Sequence, residues 1–176
     1  MKDHPVFKSL IKNGLYAGAI LAAYFVLLYL INLNFLKYNL ITFLVEGIVL
    51  LIFAFLSISE ARKKLPDNRI KFLPAWLAAG AVFFMGLWIF GIAKLLVFFV
   101  IDPEYLSRTI DEIVLQIMEV ADQVPNVEES IEGLEKLKDP MTWIQQILVY
   151  YTLKSAALGA FIAAVAKKKN RLEETL

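Results

Sequence analysis

Four long runs of apolar residues divide the chain, and each is long enough to cross a lipid bilayer as a helix. They cover residues 11–31, 39–59, 72–101 and 141–166. About 20 apolar residues are needed to cross roughly 30 Å of hydrocarbon. Backbone groups left unpaired in lipid are so costly that a spanning segment must be helical. The pattern therefore predicts an all-α fold, a single membrane domain over residues 1–176 built as a four-transmembrane-helix bundle.

Residues 102–139, between the third and fourth runs, are more polar and show helical periodicity. Apolar residues recur there at spacings typical of amphipathic helices. They are Leu106, Ile110, Ile113, Ile117 and Val124, followed by Val127, Ile131, Leu134 and Leu137. Pro125 separates the two stripes, and Asn126 with Glu129 resembles a capping box. The segment is predicted to form two short amphipathic helices.

Two matching signals mark the limits of this segment. Asp102 precedes Pro103, and Asp139 precedes Pro140. Aspartate is a preferred N-cap residue, and proline is favoured at the first helical position. Each pair therefore predicts the start of a helix, so that the segment forms a helical hairpin that lies over one end of the bundle.

Charge is distributed unevenly around these elements. Residues 102–139 contain eleven acidic and three basic side chains, a net charge of −8, although the whole chain has a net charge of +1. Basic clusters precede the first run, join the second to the third, and follow the fourth. The positive-inside rule then predicts that both termini are cytoplasmic and that the acidic hairpin is extracytoplasmic. Tyr38, Tyr105 and Trp143 are expected to mark the outer interface.

Three ionisable residues, Glu46, Lys94 and Lys154, lie within the apolar runs. Each costs about 2.5–3.5 kcal/mol at the centre of a membrane, so each is expected to have a partner or a function. A rise of about 1.5 Å per residue places Glu46 and Lys94 in one layer of the outer leaflet and Lys154 near the middle. We therefore expect a Glu46–Lys94 ion pair and a surplus ammonium group at Lys154.

Polar residues in the fourth run extend this feature, since Thr142, Gln146, Tyr150 and Lys154 follow one another at a spacing of four. We call the following set the polar seam: Glu46, Lys94, Gln146, Tyr150 and Lys154. One interpretation is that the polar seam holds the helices together through interhelical hydrogen bonds. Alternatively, the surplus lysine binds an anion, such as a lipid phosphate or an acidic substrate, or takes part in a proton relay.

Small residues predict where helices approach closely. Gly14 and Gly18 form a GxxxG pattern in the first run, and Ala156 and Ala160 repeat the spacing in the fourth. Such patterns allow close backbone packing. They fit either contacts within one chain or the interface of a homodimer.

Residue content limits the possible chemistry. The chain has no cysteine and one histidine, His4, so thiol nucleophiles and histidine-based metal centres are excluded, and no cofactor is expected. No group of side chains is arranged for catalysis. We therefore expect a non-enzymatic scaffold or accessory subunit that binds membrane proteins and, as a further candidate, an anionic lipid. The alternative is a small oligomeric transporter or flippase-like protein that uses the intramembrane charges. Nucleic-acid binding is not expected, because membrane orientation accounts for the basic clusters.

The layout also resembles a known family. Residues 99–106 read Phe-Val-Ile-Asp-Pro-Glu-Tyr-Leu. This stretch resembles the Phe-x-Ile-Asp-Pro-x-Tyr-Leu element of domain of unknown function 4199, which has the same order of spans. The resemblance implies a multi-pass protein of the bacterial inner membrane and supplies no activity.

Overall fold

The structure, a computed structural model, describes residues 5–65, 70–119 and 126–172, with side chains described within 9–65, 70–119 and 126–166. Every element in these ranges is helical, and no strand occurs in them. Four helices are long and apolar enough to cross a membrane: Ser9–Leu30, Asn39–Arg62, Phe72–Ile101 and Pro140–Ala166. The prediction of an all-α fold with four spanning helices is confirmed.

The spans and their connections follow in chain order. The first two spans are α1 (Pro5–Leu30) and α2 (Asn39–Arg62). The third is α3 (Phe72–Leu96), extended by a π-helical segment (Val97–Ile101). Two helices, α4 (Pro103–Glu119) and α5 (Val127–Glu135), come next, and a 3-10 turn (Lys136–Lys138) follows α5. The fourth span starts as α6 (Pro140–Gln145), passes through a second π-helical segment (Gln146–Tyr151) and continues as α7 (Thr152–Leu172).

The bundle is built around α3, against which α1, α2 and α7 all pack. A helix that is apolar on every side suits this central position. By contrast, α2 and the fourth span touch at few points, so a cleft separates them. Arg62 Nη2 donates a hydrogen bond of 2.9 Å to the carbonyl oxygen of Ala166 where α2 ends. We call that end of the bundle the basic end, and the end that carries residues 31–38 and 102–139 the acidic end.

Glycines set the closest helix crossings. A Cβ atom built on Gly18 would lie 2.7 Å from Cβ of Ile89, and one built on Gly159 would lie 2.8 Å from the backbone nitrogen of Gly80. Real Cβ atoms do not approach other atoms so closely, so the α1–α3 and α3–α7 crossings need residues without side chains. These two crossings fix α1 and α7 against α3.

The first helix of the acidic segment, α4, is anchored at the acidic end. Asp102 caps it, because its Oδ1 accepts a 3.1 Å hydrogen bond from the backbone nitrogen of Tyr105. Leu106 and Ile110 are buried. The hydroxyl of Tyr105 donates to the carbonyl oxygen of Leu33 at 3.0 Å, and Asn34 Nδ2 donates to the carbonyl oxygen of Thr109 at 3.1 Å. The turn between α1 and α2 therefore holds α4 in place.

Packing of α5 against α4 completes a helical pair. Lys138, which follows α5, forms salt bridges of 2.8 Å with both Asp111 and Glu135. Asp139 then caps α6 by accepting a 3.0 Å hydrogen bond from the backbone nitrogen of Met141. The expected capping box is not formed, because Asn126 adopts a left-handed conformation with φ of 56° and its side chain makes no cap hydrogen bond. The proposed helix break at residue 125 lies outside the described residues.

Aromatic residues fill the space beneath α4. The rings of Phe35, Phe98 and Trp143 pack together, with centroids 5.2 Å apart for Phe35–Phe98 and 5.0 Å for Phe98–Trp143. Tyr105 and Trp143 are only 3% and 4% exposed. They are therefore core residues at the acidic end, and the expectation that they are interfacial anchors is wrong, because both rings pack against Phe35 and Phe98. Tyr38 is 40% exposed, as an interfacial residue would be.

Candidate functional site

A polar cavity opens in the cleft between α2 and the fourth span, near the acidic end. Its volume is about 650 Å³. Lys94 of α3 forms part of its wall, and Leu137 of the 3-10 turn lies on its acidic side. We call it the seam cavity because every residue of the polar seam lines it. The full lining is Asn39, Thr42, Phe43, Glu46, Lys94, Leu137, Thr142, Gln145, Gln146, Val149, Tyr150, Tyr151 and Lys154.

The ion pair in the seam cavity joins Glu46 to Lys154. Lys154 Nζ donates a hydrogen bond to Glu46 Oε1 across the cleft, and the Lys154 and Glu46 side chains are only 16% and 10% exposed. Among the residues that the structure describes, no carboxylate lies within 4.0 Å of Lys94 Nζ. The expected Glu46–Lys94 pair is therefore wrong, and the surplus ammonium group belongs to Lys94.

Helix direction explains this exchange of partners. Side chains on an α-helix lean toward its N-terminus. The fourth span begins at the acidic end, so Lys154 leans toward Glu46, and its Nζ lies 5.8 Å from the ring centre of Tyr150, one turn nearer that end. The opposite direction of α3 makes Lys94 lean toward the basic end, where its Nζ lies 4.1 Å from the ring centre of Phe90. The two ammonium groups thus approach one region from opposite directions.

Aromatic rings surround the surplus ammonium group. Besides Phe90, Lys94 Nζ lies 5.7 Å from the ring centre of Trp143 and 5.9 Å from that of Phe35. A desolvated cation over an aromatic face gains about 2 kcal/mol, which offsets part of the cost of burying the charge. The rings stabilise the cation but do not neutralise it. Lys94 is 8% exposed and lies in the cavity wall.

The second π-helical segment keeps the polar face of the fourth span directed at the cavity. In a regular α-helix of 3.6 residues per turn, each spacing of four turns about 40° too far. Three spacings, from Thr142 to Lys154, would accumulate about 120°. Residues Gln146–Tyr151 are wound with i→i+5 hydrogen bonds, which take up more residues per turn. Thr142, Gln146, Tyr150 and Lys154 therefore all line the seam cavity.

Several polar groups at the seam cavity are unused by the protein. The hydroxyl Oγ1 of Thr42 is buried and has no hydrogen-bond partner among the described residues. The side-chain amides of Asn39, Gln145 and Gln146 likewise form no hydrogen bond within the described parts of the chain. With two ammonium groups and one carboxylate, the cavity carries a formal charge of +1. This combination of charge and free hydrogen-bonding groups is chemically suited to a ligand that carries both an anionic group and hydroxyl groups.

The small residues predicted to pack helices have different surroundings. Gly14 faces Met85 and Gly18 faces Ile89, so this GxxxG pattern makes its contacts within the chain. Ala156 is exposed and Ala160 is half-buried. The close crossing of the fourth span with α3 uses Gly159, which the spacing of alanines did not indicate.

The sequence alone does not bring together the three rings around Lys94. Phe90 precedes Lys94 by four residues and therefore shares its helix face, a signal that was available. Phe35 and Trp143 belong to other elements, and only the tertiary structure brings them to α3.

Four spanning helices, three of which line a polar cavity, define a multi-pass membrane protein of the helical-bundle class. Within that class, the chain belongs to the family described as Protein of unknown function (DUF4199), whose family model matches residues 12–168. The match includes nearly the whole of the four spans and confirms the resemblance. Comparisons with curated proteins and with solved structures found no match.

Proposed function

We propose that this protein is a non-enzymatic membrane scaffold or accessory subunit that binds an anionic lipid headgroup in the seam cavity and acts beside partner membrane proteins. One observation carries the proposal: Lys94 is 8% exposed and lines the seam cavity without a carboxylate partner among the described residues. A buried charge without a counter-charge is costly. An anion that enters the cavity would neutralise Lys94.

The size and depth of the seam cavity support a lipid headgroup as the ligand. Its volume of about 650 Å³ is within the range of small-molecule sites. The 24 residues of α2 are about 36 Å long, which exceeds the hydrocarbon thickness by about 6 Å. Asn39, at the start of α2, would then lie in the headgroup layer, with Glu46 about 10 Å deeper. A headgroup can enter this region without crossing the middle of the membrane.

Charge distribution supports an orientation in which both termini are cytoplasmic and α4 and α5 are extracytoplasmic. The seam cavity would then open to the outer leaflet, and the family resemblance favours the bacterial inner membrane. Because the chain lacks cysteine, single-cysteine variants can test this orientation. In intact cells, an impermeant maleimide should label Glu128→Cys, whereas Lys64→Cys should react only after permeabilisation. The reverse result would contradict the orientation.

Native mass spectrometry of the purified protein tests the lipid site. The wild-type protein should retain an anionic lipid that Lys94→Met loses. Methionine has an apolar side chain of similar length and suits the aromatic surroundings. Lys37→Met is the matched control, since Lys37 is exposed at the same end of the bundle. Equal retention by the wild-type protein and Lys94→Met would refute the proposal. The same spectra report co-purifying membrane proteins and the number of copies of the chain.

The position of Glu46 favours a second candidate, a small oligomeric transporter or flippase-like protein. Glu46 shares one cavity with Lys94 and Lys154, so its carboxylate has two cations with which to pair. Intramembrane charges that exchange partners are typical of ion and substrate pathways. Flux of lipid or ions in proteoliposomes, abolished by Glu46→Gln, would support this candidate in place of a scaffold. Absence of flux in the wild-type protein would exclude it.

A further inference from the structure

The charge of the seam cavity limits which anion it can neutralise. Glu46 and Lys154 compensate each other through their ion pair, so Lys94 contributes the remaining formal charge of +1. A phosphodiester carries one negative charge and would bring the total to zero. A phosphomonoester carries about −1.5 to −2 at neutral pH and would leave excess negative charge in a poorly solvated place. A zwitterionic headgroup would add an ammonium group close to two lysines.

Uncharged polar groups line the same cavity as Lys94. Thr42 has a buried hydroxyl without a partner among the described residues, and Gln146 is a half-buried amide that makes no hydrogen bond within them. Gln145 and Asn39 add two more free amides. A side-chain amide both donates and accepts hydrogen bonds, as does a hydroxyl group of a ligand, so the two can pair. The site therefore suits a headgroup whose remaining polar atoms are hydroxyls.

Apolar side chains stand at the opening of the cavity. Phe43 of α2 and Val149 of the fourth span line it and are 56% and 57% exposed. In a membrane, exposed apolar side chains at this depth contact acyl chains. A phosphate beside Lys94 can therefore stay connected to acyl chains that lie along the outside of the cleft.

We infer that the occupant of the seam cavity is a phosphodiester lipid with an uncharged, hydroxyl-bearing headgroup, of the phosphatidylglycerol type, with its phosphate at Lys94 and its hydroxyls at Thr42 and Gln146. This inference rests on the proposed anion-binding function and adds the class of lipid.

Competition between lipids in native mass spectrometry tests the inference. The protein is equilibrated with equimolar phosphatidylglycerol, phosphatidylethanol, phosphatidylethanolamine and phosphatidic acid of identical acyl chains. Phosphatidylethanol has the same charge as phosphatidylglycerol but no headgroup hydroxyl. Phosphatidylglycerol should exceed phosphatidylethanol by about five-fold, as one or two neutral hydrogen bonds allow. It should exceed phosphatidylethanolamine by about ten-fold, as expected for an uncompensated ammonium group.

Variants separate the contributions of charge and hydroxyls. Gln146→Met should reduce the preference for phosphatidylglycerol over phosphatidylethanol, because only the Thr42 contact remains, while both lipids still exceed phosphatidylethanolamine. Lys94→Met should lower binding of both anionic lipids by about ten-fold or more, whereas Lys37→Met should leave it unchanged. Thermal unfolding of each variant in detergent shows that it is folded.

The outcomes that overturn the inference differ from those that overturn the proposed function. The lipid class would be refuted if the wild-type protein bound phosphatidic acid or phosphatidylethanol as tightly as it binds phosphatidylglycerol. Either result would leave anion binding at Lys94 intact. Displacement of the lipid by millimolar glycerophosphoglycerol or inorganic phosphate would show that the ligand is a soluble phosphate and overturn the inference. Anionic lipid binding that is independent of Lys94 would refute both.

Discussion

The Glu46–Lys154 ion pair makes the most direct energetic prediction. Replacing Glu46 with glutamine leaves Lys154 unpaired in a site where its side chain is only 16% exposed. A lone lysine costs about 2.5–3.5 kcal/mol at the membrane centre. Lys154 leans toward the acidic end and can extend further in that direction, which lowers the cost. We therefore expect Glu46→Gln to reduce the free energy of unfolding by about 2 kcal/mol.

A double-mutant cycle isolates the pair. Lys154→Met should cost about 1 kcal/mol, because the remaining carboxylate still shares the cavity with Lys94. The double variant Glu46→Gln/Lys154→Met should cost no more than Lys154→Met alone, since it leaves neither partner charged. The coupling energy is then about 2 kcal/mol, near the upper end of measured interhelical interactions in membranes.

The corresponding cycle for Glu46 and Lys94 is the control. Glu46 and Lys94 share the cavity without a direct contact, so their coupling should be smaller than that of Glu46 and Lys154. Reversible unfolding in mixed detergent micelles, followed by tryptophan fluorescence, measures both cycles. A Glu46–Lys94 coupling equal to or greater than the Glu46–Lys154 coupling would refute the pairing.

Three further results are expected. Gly159→Leu should lower stability by at least about 2 kcal/mol in the same unfolding assay, because its side chain meets the α3 backbone, whereas Gly47→Ala, which has open space, should be neutral or stabilising. Hydrogen bonds to Asp111 and Glu135 raise the pKa of Lys138 above its ordinary value of 10.5. Its contribution to stability is therefore complete below pH 10.5 and lost as the pH rises through the raised pKa, a loss that near-ultraviolet circular dichroism should show in the wild-type protein but not in Lys138→Met. Asn34→Ala should speed amide hydrogen exchange in α4, because Asn34 joins α4 to the turn before α2, and should leave exchange in α3 unchanged. If α4 exchanged at the same rate in the variant and in the wild-type protein, the anchoring role would be contradicted.

Hydrophobic run length alone was enough to predict the four spans. The predicted first residue of the second and third spans, 39 and 72, agrees with the start of the corresponding helices in the structure. This success has a simple physical basis, because lipid requires long, continuous and apolar helices. The periodicity of the acidic segment was also sufficient to predict the helices α4 and α5.

The ion pair shows where sequence reasoning ends. Counting residues gives the depth of a Cα atom, but a lysine side chain is long enough to move its charge by more than a helical turn. Depth alone therefore favoured Lys94 as the partner of Glu46. The correct partner depends on which helices lie across the cleft, and the central position of α3 is a property of tertiary packing. The π-helical segment Gln146–Tyr151 was also invisible in the spacing pattern.

That π-helical segment determines where the fourth span can change in length. Thr142 and Lys154 are twelve residues apart. Deleting one residue between Gln146 and Tyr151 would make the separation eleven, which is close to three full turns of a regular α-helix. Both side chains would keep their common face. A deletion within α7, such as at Leu158, would instead rotate one part of the span by about 100° relative to the other and separate the glycine crossing from the cavity lining. Natural length differences among related chains are therefore expected to concentrate at residues 146–151, where one residue can be gained or lost without moving the rest of the helix.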